Sequence, residues 1–230
     1  MARQAAARKT KPPATVERQE TLTERAYREI EEAIVTLRLK PGQVLSEQSL
    51  SSSLGIGRTP IREALQRLAL EGLVTILPRK GILVSEINPK SQLLVLEVRR
   101  ELERLLARAS AERATPAEKE AFLAIASGME KAARGKDDIA FMRLDRELNL
   151  LTLEAARNDY AARSMKLLQG LSRRFWYMHY RMTADLPLCA RLHANQALAI
   201  GRGDREQAGK TTDALMDYVE SFTRATVQIR

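Results

Sequence analysis

From Leu22 onward, apolar side chains return every three or four positions, at Ala26, Ile30, Ile34 and Leu37, with charged residues filling the intervals. That period is one buried face of a helix. Thr21 or Thr23 can cap its start, and Pro41-Gly42 closes it after about Leu39. A shorter helix is expected after Ser46, with Leu50 and Leu54 turned inward and Gly55 free to adopt a left-handed conformation behind it. Thr59 is expected to cap a third helix with Pro60 at its first position, where the missing N–H removes no bond. This helix runs to about Glu71 and stops at Gly72. Two β-like runs follow, Leu73 to Leu77 and Gly81 to Ser85, joined by Pro78-Arg79-Lys80. Helix, helix-turn-helix and hairpin, in that order, make a winged helix.

After Asn88-Pro89 the pattern is helical almost throughout, in about six segments near 90–113, 116–134, 137–157, 159–182, 186–201 and 204–227. Pro116, Gly135, Asn158, Pro187 and Gly203 fall at or near their junctions. In the third segment Phe141, Leu144, Leu148, Leu151 and Ala155 form one buried stripe. The fold class expected is mainly α. A winged helix-turn-helix of three helices and a small β-hairpin wing occupies 21–87, and an all-helical bundle of about six helices occupies 88–230. Residues 1–20 carry Arg3, Arg8, Lys9 and Lys11 without sustained periodicity and are expected to form a flexible basic arm.

Composition narrows the function. Aromatic residues make up 4% of the chain, so the cores must be built from Leu, Ile, Val and Ala. The net charge of +9 permits a phosphate-rich partner. Fourteen basic and ten acidic residues precede Asn88, and twenty-four and nineteen follow it, so both halves are mildly basic and the placement of particular arginines must decide. A lone cysteine, Cys189, leaves no intramolecular disulfide and fits a reducing compartment. No run approaches the roughly 18 apolar residues of a membrane span. Met1 to Pro13 has no apolar signal-peptide core, so a cytoplasmic location is expected.

The most informative stretch is Gly57 to Leu68. At 100° per residue Arg58, Arg62 and Gln66 share a narrow stripe, and Ile61, Ala64, Leu65 and Leu68 lie on the other side. A helix pinned by its apolar face would present guanidinium and amide groups able to bridge guanine O6 and N7, or adenine N6 and N7. Its N-terminus and the Thr59 hydroxyl would favour a phosphate. Arg79, Lys80 and Gly81 at the wing tip offer two cations and a backbone that can approach DNA closely.

Leu22 to Val84 resembles the DNA-binding domain of the GntR family. The resemblance is carried by Pro41-Gly42 before Leu45-Ser46-Glu47, by Ser53-Leu54-Gly55, by Arg58-Thr59-Pro60-Ile61-Arg62-Glu63-Ala64-Leu65, and by Glu71-Gly72-Leu73-Val74. It implies that Arg58, Thr59 and Arg62 contact operator DNA, with Lys80 and Gly81 at the wing. An earlier basic contact of some relatives falls here on Gln48.

The rest of the chain resembles the FCD effector domain of the FadR-type branch, through Glu97-Val98-Arg99-Arg100 with Glu103, Asp145-Arg146-Glu147-Leu148-Asn149, Ala155-Ala156-Arg157-Asn158, His193 and Gly203-Asp204. Many such domains hold a divalent metal through an Asp, a His or Asn four residues later, and two further histidines. Asp145, Asn149 and His193 match three of these positions, for zinc, nickel or manganese. Leu215 falls at the fourth, or Tyr218 if three residues are inserted, with Asp213 or Asp217 as conceivable substitutes. The plainer reading makes Asp145 and Asn149 a buried hydrogen-bonded pair, or a solvated edge beside the Leu stripe, and His193 a core histidine. The sharper one is a polar cavity for a small organic acid, with Arg99, Arg173 or Arg174 gripping its carboxylate beside Asp145, Asn149 and His193. At most one of Arg173 and Arg174 is expected to face inward.

The function expected is therefore a sequence-specific transcription regulator. It would act as a homodimer on double-stranded operator DNA, controlled by an acid effector in the helical domain. The rivals are a hydrolytic enzyme, using a Cys189–His193 pair or a metal on Asp145, Asn149 and His193, and a protein that coats nucleic acid without sequence preference.

Overall fold

The computed structural model describes residues 20–228, with the side chains of 181–183 and 227–228 left out. The expected basic arm, apart from Glu20, lies outside the described residues.

Helix α1 (Leu22–Val35) starts at a capping box, in which the Thr21 hydroxyl accepts from the Glu24 amide and the Glu24 carboxylate accepts from the Thr21 amide. It buries Ala26, Ile30 and Ile34. It ends before the apolar pattern does. Leu37 sits at φ 59°, outside the helix, and the Leu39 amide reaches back to the Ala33 carbonyl. That left-handed closure satisfies a terminal carbonyl and turns the chain.

β1 (Val44–Leu45) follows, then α2 (Glu47–Leu54), capped by Ser46 and ended by Gly55 in the left-handed region. Helix α3 (Arg58–Leu70) corrects the expected cap. Gly57 is the capping residue and makes no side-chain bond, while Thr59 and Pro60 lie within the first turn. Pro60 still replaces only an N–H that would have had no helical acceptor. β2 (Val74–Leu77) and β3 (Gly81–Val84) pair antiparallel, and β3 is central in a three-stranded sheet of order β1-β3-β2. Ile30, Ile34, Leu50, Ile61, Leu65, Leu68, Leu73 and Val84 close one apolar core between these elements.

The remaining helices are α4 (Pro89–Arg113), α5 (Pro116–Gly135), α6 (Asp138–Ala155), α7 (Asp159–Thr183), α8 (Leu186–Gly201) and α9 (Arg205–Gln228). Asn88, Thr115, Asp137, Asn158 and Asp185 cap α4 to α8 through their side chains, which is why these boundaries follow the sequence pattern. Helix α5 packs on α8, and α4 on α9. Ala107, Ala111, Ala126, Ala194 and Ala197 line the seams around Phe122, Met129 and Ile200. Small side chains let these helices approach closely. Among the described residues no helix is long and apolar enough to cross a membrane.

The two halves meet along α7. A Cβ on Gly170 would stand 2.8 Å from Leu73 Cδ1, so only glycine permits this approach without displacing Leu73. Leu171 packs on the N-terminal core.

Candidate nucleic-acid interface and ligand cavity

Helix α3 divides its residues cleanly. Ile61, Ala64, Leu65 and Leu68 are buried, and Arg58, Thr59, Arg62 and Gln66 are exposed. Arg62 is also oriented: its Nε donates to Glu47 Oε1 at 2.9 Å and its Nη2 to Oε2 at 2.8 Å. This fork fixes the guanidinium plane. The hydrogen bonds from Arg62 hold the Glu47 carboxyl below its usual value. Sequence reading gave Glu47 no role beyond the family resemblance. Its neighbour Gln48 is exposed on α2.

The N-terminus of α3 differs from the rest. Helices α1, α2 and α4 to α8 each carry a side-chain cap, and Asp204 bonds the Gln207 amide at the start of α9. Helix α3 has neither a capping side chain nor an acidic residue in its first turn. Its leading N–H groups are left for an outside acceptor, and the helix dipole favours an anion there.

At the wing tip the Lys80 amide donates to the Leu77 carbonyl at 3.0 Å, closing a turn with Pro78 and Arg79 at its centre. Arg79 has φ 62°. Glycine is the usual occupant of such a position, yet the chain keeps an arginine, and both Arg79 and Lys80 are exposed. Gly81 has a packing reason of its own. A Cβ on it would meet the Leu45 carbonyl of β1 at 2.8 Å.

A cavity of about 400 Å³ lies among α4, α6, α7, α8, α9 and the end of α1. Arg99, Asp145, Asn149, Arg173 and His193 all line it, beside apolar walls that include Phe141, Trp176, Met216 and Phe222. His193 Nε2 faces Asp145 Oδ1 at 3.2 Å, and the Asn149 amide donates to the same oxygen at 3.1 Å. His193 Nδ1 lies 2.8 Å from the Cys189 carbonyl. Burial opposes charging of Asp145, but the hydrogen bond and charge of His193, with Arg99 and Arg173, outweigh it and hold the carboxyl low. Burial likewise opposes a charged His193. The Cys189 and Asp145 contacts override it and raise the ring well above 6.5. Both shifts favour the pairing of an imidazolium with a carboxylate.

Arg99 donates to Glu103, while its Nε is buried without a hydrogen-bond partner among the described residues. Arg173 and Arg174 diverge, as adjacent helical residues must. Arg173 borders the cavity and donates to Glu31 of α1 at 2.7 Å. Arg174 does not line this cavity: it is 3% exposed and donates to the Ser85 and Glu86 carbonyls of the linker. Glu32, Val35 and Thr36, from α1, also line the cavity, and nothing in their local sequence marks them for it.

The donor set does not fit a resident metal. Asp145 and His193 bond each other, Asn149 spends its amide on the same carboxylate, and buried Leu215 occupies the position expected to complete the set. Tyr218 turns its hydroxyl to the Asp185 carbonyl, and Asp213 and Asp217 pair with Arg104 and Arg100. Among the described residues no group of three or more His, Cys, Asp or Glu side chains is placed to hold an ion. The Cys189 sulfur is 3.7 Å from His193 Nδ1, but the thiol is 1% exposed. A buried thiol of this kind is a packing group rather than an available nucleophile.

Comparison with known proteins agrees with this layout. Residues 22–84 match the family model for bacterial regulatory proteins of the gntR family, and residues 94–218 match the FCD domain. The HTH-type transcriptional repressor RspR of Escherichia coli K12 is 24% identical over 209 residues, covering 91% of this chain and 90% of RspR. An HTH-type regulator of Streptomyces ambofaciens is 46% identical over 63 residues, a match spanning only 27% of either protein. The solved structure of Escherichia coli McbR/YncC shares the fold, with a TM-score of 0.75 at 19% identity over 90% of this chain and 99% of McbR/YncC. Its relatives are named as transcriptional regulators rather than enzymes. With one family model matched by its winged helix and the other by its helical half, this chain belongs to the gntR family of bacterial transcription regulators, in the branch that carries an FCD domain.

Proposed function

We propose that this regulator reads operator DNA through α3 and the wing, and that a small organic acid in the cavity controls its affinity. The observation that carries the reading is α3 itself: apolar side buried, Arg58, Arg62 and Gln66 exposed, and a first turn left uncapped. Arg62, steadied by Glu47, is assigned to a base edge, as is Gln66. Arg58, Thr59, Gln48, Arg79, Lys80 and the backbone at Gly81 are assigned to phosphates and groove walls.

Arg99 and Arg173 are assigned to the acid's carboxylate, with His193, Asp145 and Asn149 forming a polar floor. This recognition uses side-chain charge alone, and dialysis against a chelator is expected to leave acid binding unchanged. The protein is assigned a homodimeric form. Leu94, Val98 and Leu105 recur at helical spacing on the outer side of α4 and stay 63%, 53% and 47% exposed, an apolar face suited to a second copy. Two winged helices on one axis would then meet a palindrome.

The test is selection of duplexes from a random pool, followed by titration of the winning sequence and a scrambled one at several salt concentrations. A preference that survives high salt supports the reading. Equal binding of both duplexes overturns it in favour of non-specific coating.

A further inference from the structure

The cavity does not belong to the helical domain alone. Glu32, Val35 and Thr36, from the last turns of α1 and the residue beyond it, complete its wall, so the DNA-binding half supplies part of the ligand's surroundings. Helix α7 joins the two. Its inner side carries Ser172, Arg173 and Trp176 into the cavity. The same turns present Gly170 and Leu171 to the N-terminal core and Arg174 to the linker carbonyls. The Gln92 amide donates to Ser172 in a buried bond that fixes the first turn of α4 against α7.

Within this seam Arg173 has two claims on it. Its Nη1 donates to Glu31 at 2.7 Å, and its side chain remains 34% exposed beside the cavity, against 13% for Glu31. The ionised Asp145 feels the charge of Arg173 as well as that of Arg99, which puts the guanidinium within electrostatic reach of the cavity floor. Arg99 and Arg173 border the cavity, and the Arg99 Nε is buried without a partner among the described residues, while Arg143 and Arg146 at its margin are exposed to solvent. That unpartnered donor suits the carboxylate of an anion with an apolar body to meet Phe141, Trp176 and Phe222.

Resting on the acid-sensing reading above, we propose that Arg173 is a shared guanidinium: an aryl or alkyl carboxylate in the cavity and Glu31 of the DNA-binding half compete for it. Acid binding then draws Arg173 off Glu31 and loosens α1 from α7. By reciprocity, whatever strengthens the Glu31 tie weakens the acid. The signal needs no long path, because the helix that is released contributes to the site wall.

Trp176, the single tryptophan of the chain, lines the cavity and reports occupancy by fluorescence. The probes are phenylacetate, benzoate and succinate, titrated into the full-length chain and followed also by hydrogen exchange of the α1 amides. Glu31→Gln removes the competitor and is expected to bind the best probe about three- to fivefold tighter, the scale of a partly exposed ion pair. Its α1 amides should exchange faster even without acid, as those of the unaltered chain do when saturated. Arg173→Gln is expected to bind at least about tenfold more weakly. Arg173→Lys serves where the glutamine variant does not fold. It keeps a cation for Glu31 and protection of α1, but loses the fork that grips a carboxylate. Acid binding that Glu31→Gln leaves unchanged or weakens overturns the competition and leaves the acid-sensing reading standing. No response of Trp176 to any probe in any variant overturns that reading too.

Discussion

Helix α3 and the cavity between α4 and α9 both rely on arginine, and they dispose of it in opposite ways. On α3 the apolar side is buried and the guanidinium groups of Arg58 and Arg62 stand in solvent, where charge is cheap to hold. In the cavity Arg99 is largely enclosed and the charges away from solvent are matched: Arg99 by Glu103, Arg173 by Glu31, His193 by Asp145. The difference teaches where each site's sensitivity lies. Changes on α3 should alter DNA binding and spare the fold, while changes at the cavity floor should alter stability as well as ligand response.

The largest expected effect tests the enclosed side. Asp145→Ala leaves the His193 imidazolium without its carboxylate and is expected to destabilise the protein by roughly 2–3 kcal/mol in urea unfolding, somewhat below the range for fully buried pairs. An unchanged midpoint would mean that the floor is as solvated as α3. Next comes the exposed side. Arg62→Ala is expected to weaken binding to the selected duplex by about 1–3 kcal/mol and to relax preference at one base pair, with stability altered by less than about 0.5 kcal/mol. Retained base preference would show that another residue reads the sequence.

The wing offers a sharper contrast, because there stability and function oppose each other. Arg79→Gly relieves a left-handed arginine and is expected to raise stability by up to about 1 kcal/mol in thermal unfolding, while lowering the salt dependence of DNA binding by roughly one phosphate contact. A lower melting temperature would remove the argument from backbone strain. The smallest effect concerns pH. His193 gains proton affinity on folding, so its stabilisation is complete below the ordinary value of 6.5 and is lost as pH rises through the raised one. Asp145 acts in the opposite sense. Its contribution is present above the ordinary carboxyl value of 3.8 and is lost as pH falls through the lowered one. The melting temperature should therefore sag on the alkaline side, and His193→Gln should abolish that part of the decline.

What could be read from the sequence follows the same division. The helices of the C-terminal half were legible because α4 to α8 each begin at an Asn, Asp or Thr cap, and all their junctions but the one at Asn158 lie near a Pro or Gly. The orientation of α3 was legible because its period separates Ile61 and Leu65 from Arg58 and Arg62. Where local signals compete, reading failed. Thr59 has the side chain of a cap, yet Gly57 holds that position, and Leu37 kept the apolar period of a helix that had already ended. β1 was missed because two residues carry no period, and only the edge of β3 makes Val44 and Leu45 a strand.

Local period, caps and breakers thus determined which segments are helices and which way α3 faces, since those depend on neighbours three or four residues apart. Tertiary structure alone decided that Glu31 meets Arg173 across 142 residues, that Arg174 turns to the linker, and that Thr36 helps wall a cavity floored by Asp145 and His193. The physical reason is that a helix face can be read from its own sequence, whereas its partners depend on how whole helices pack, which no local period encodes.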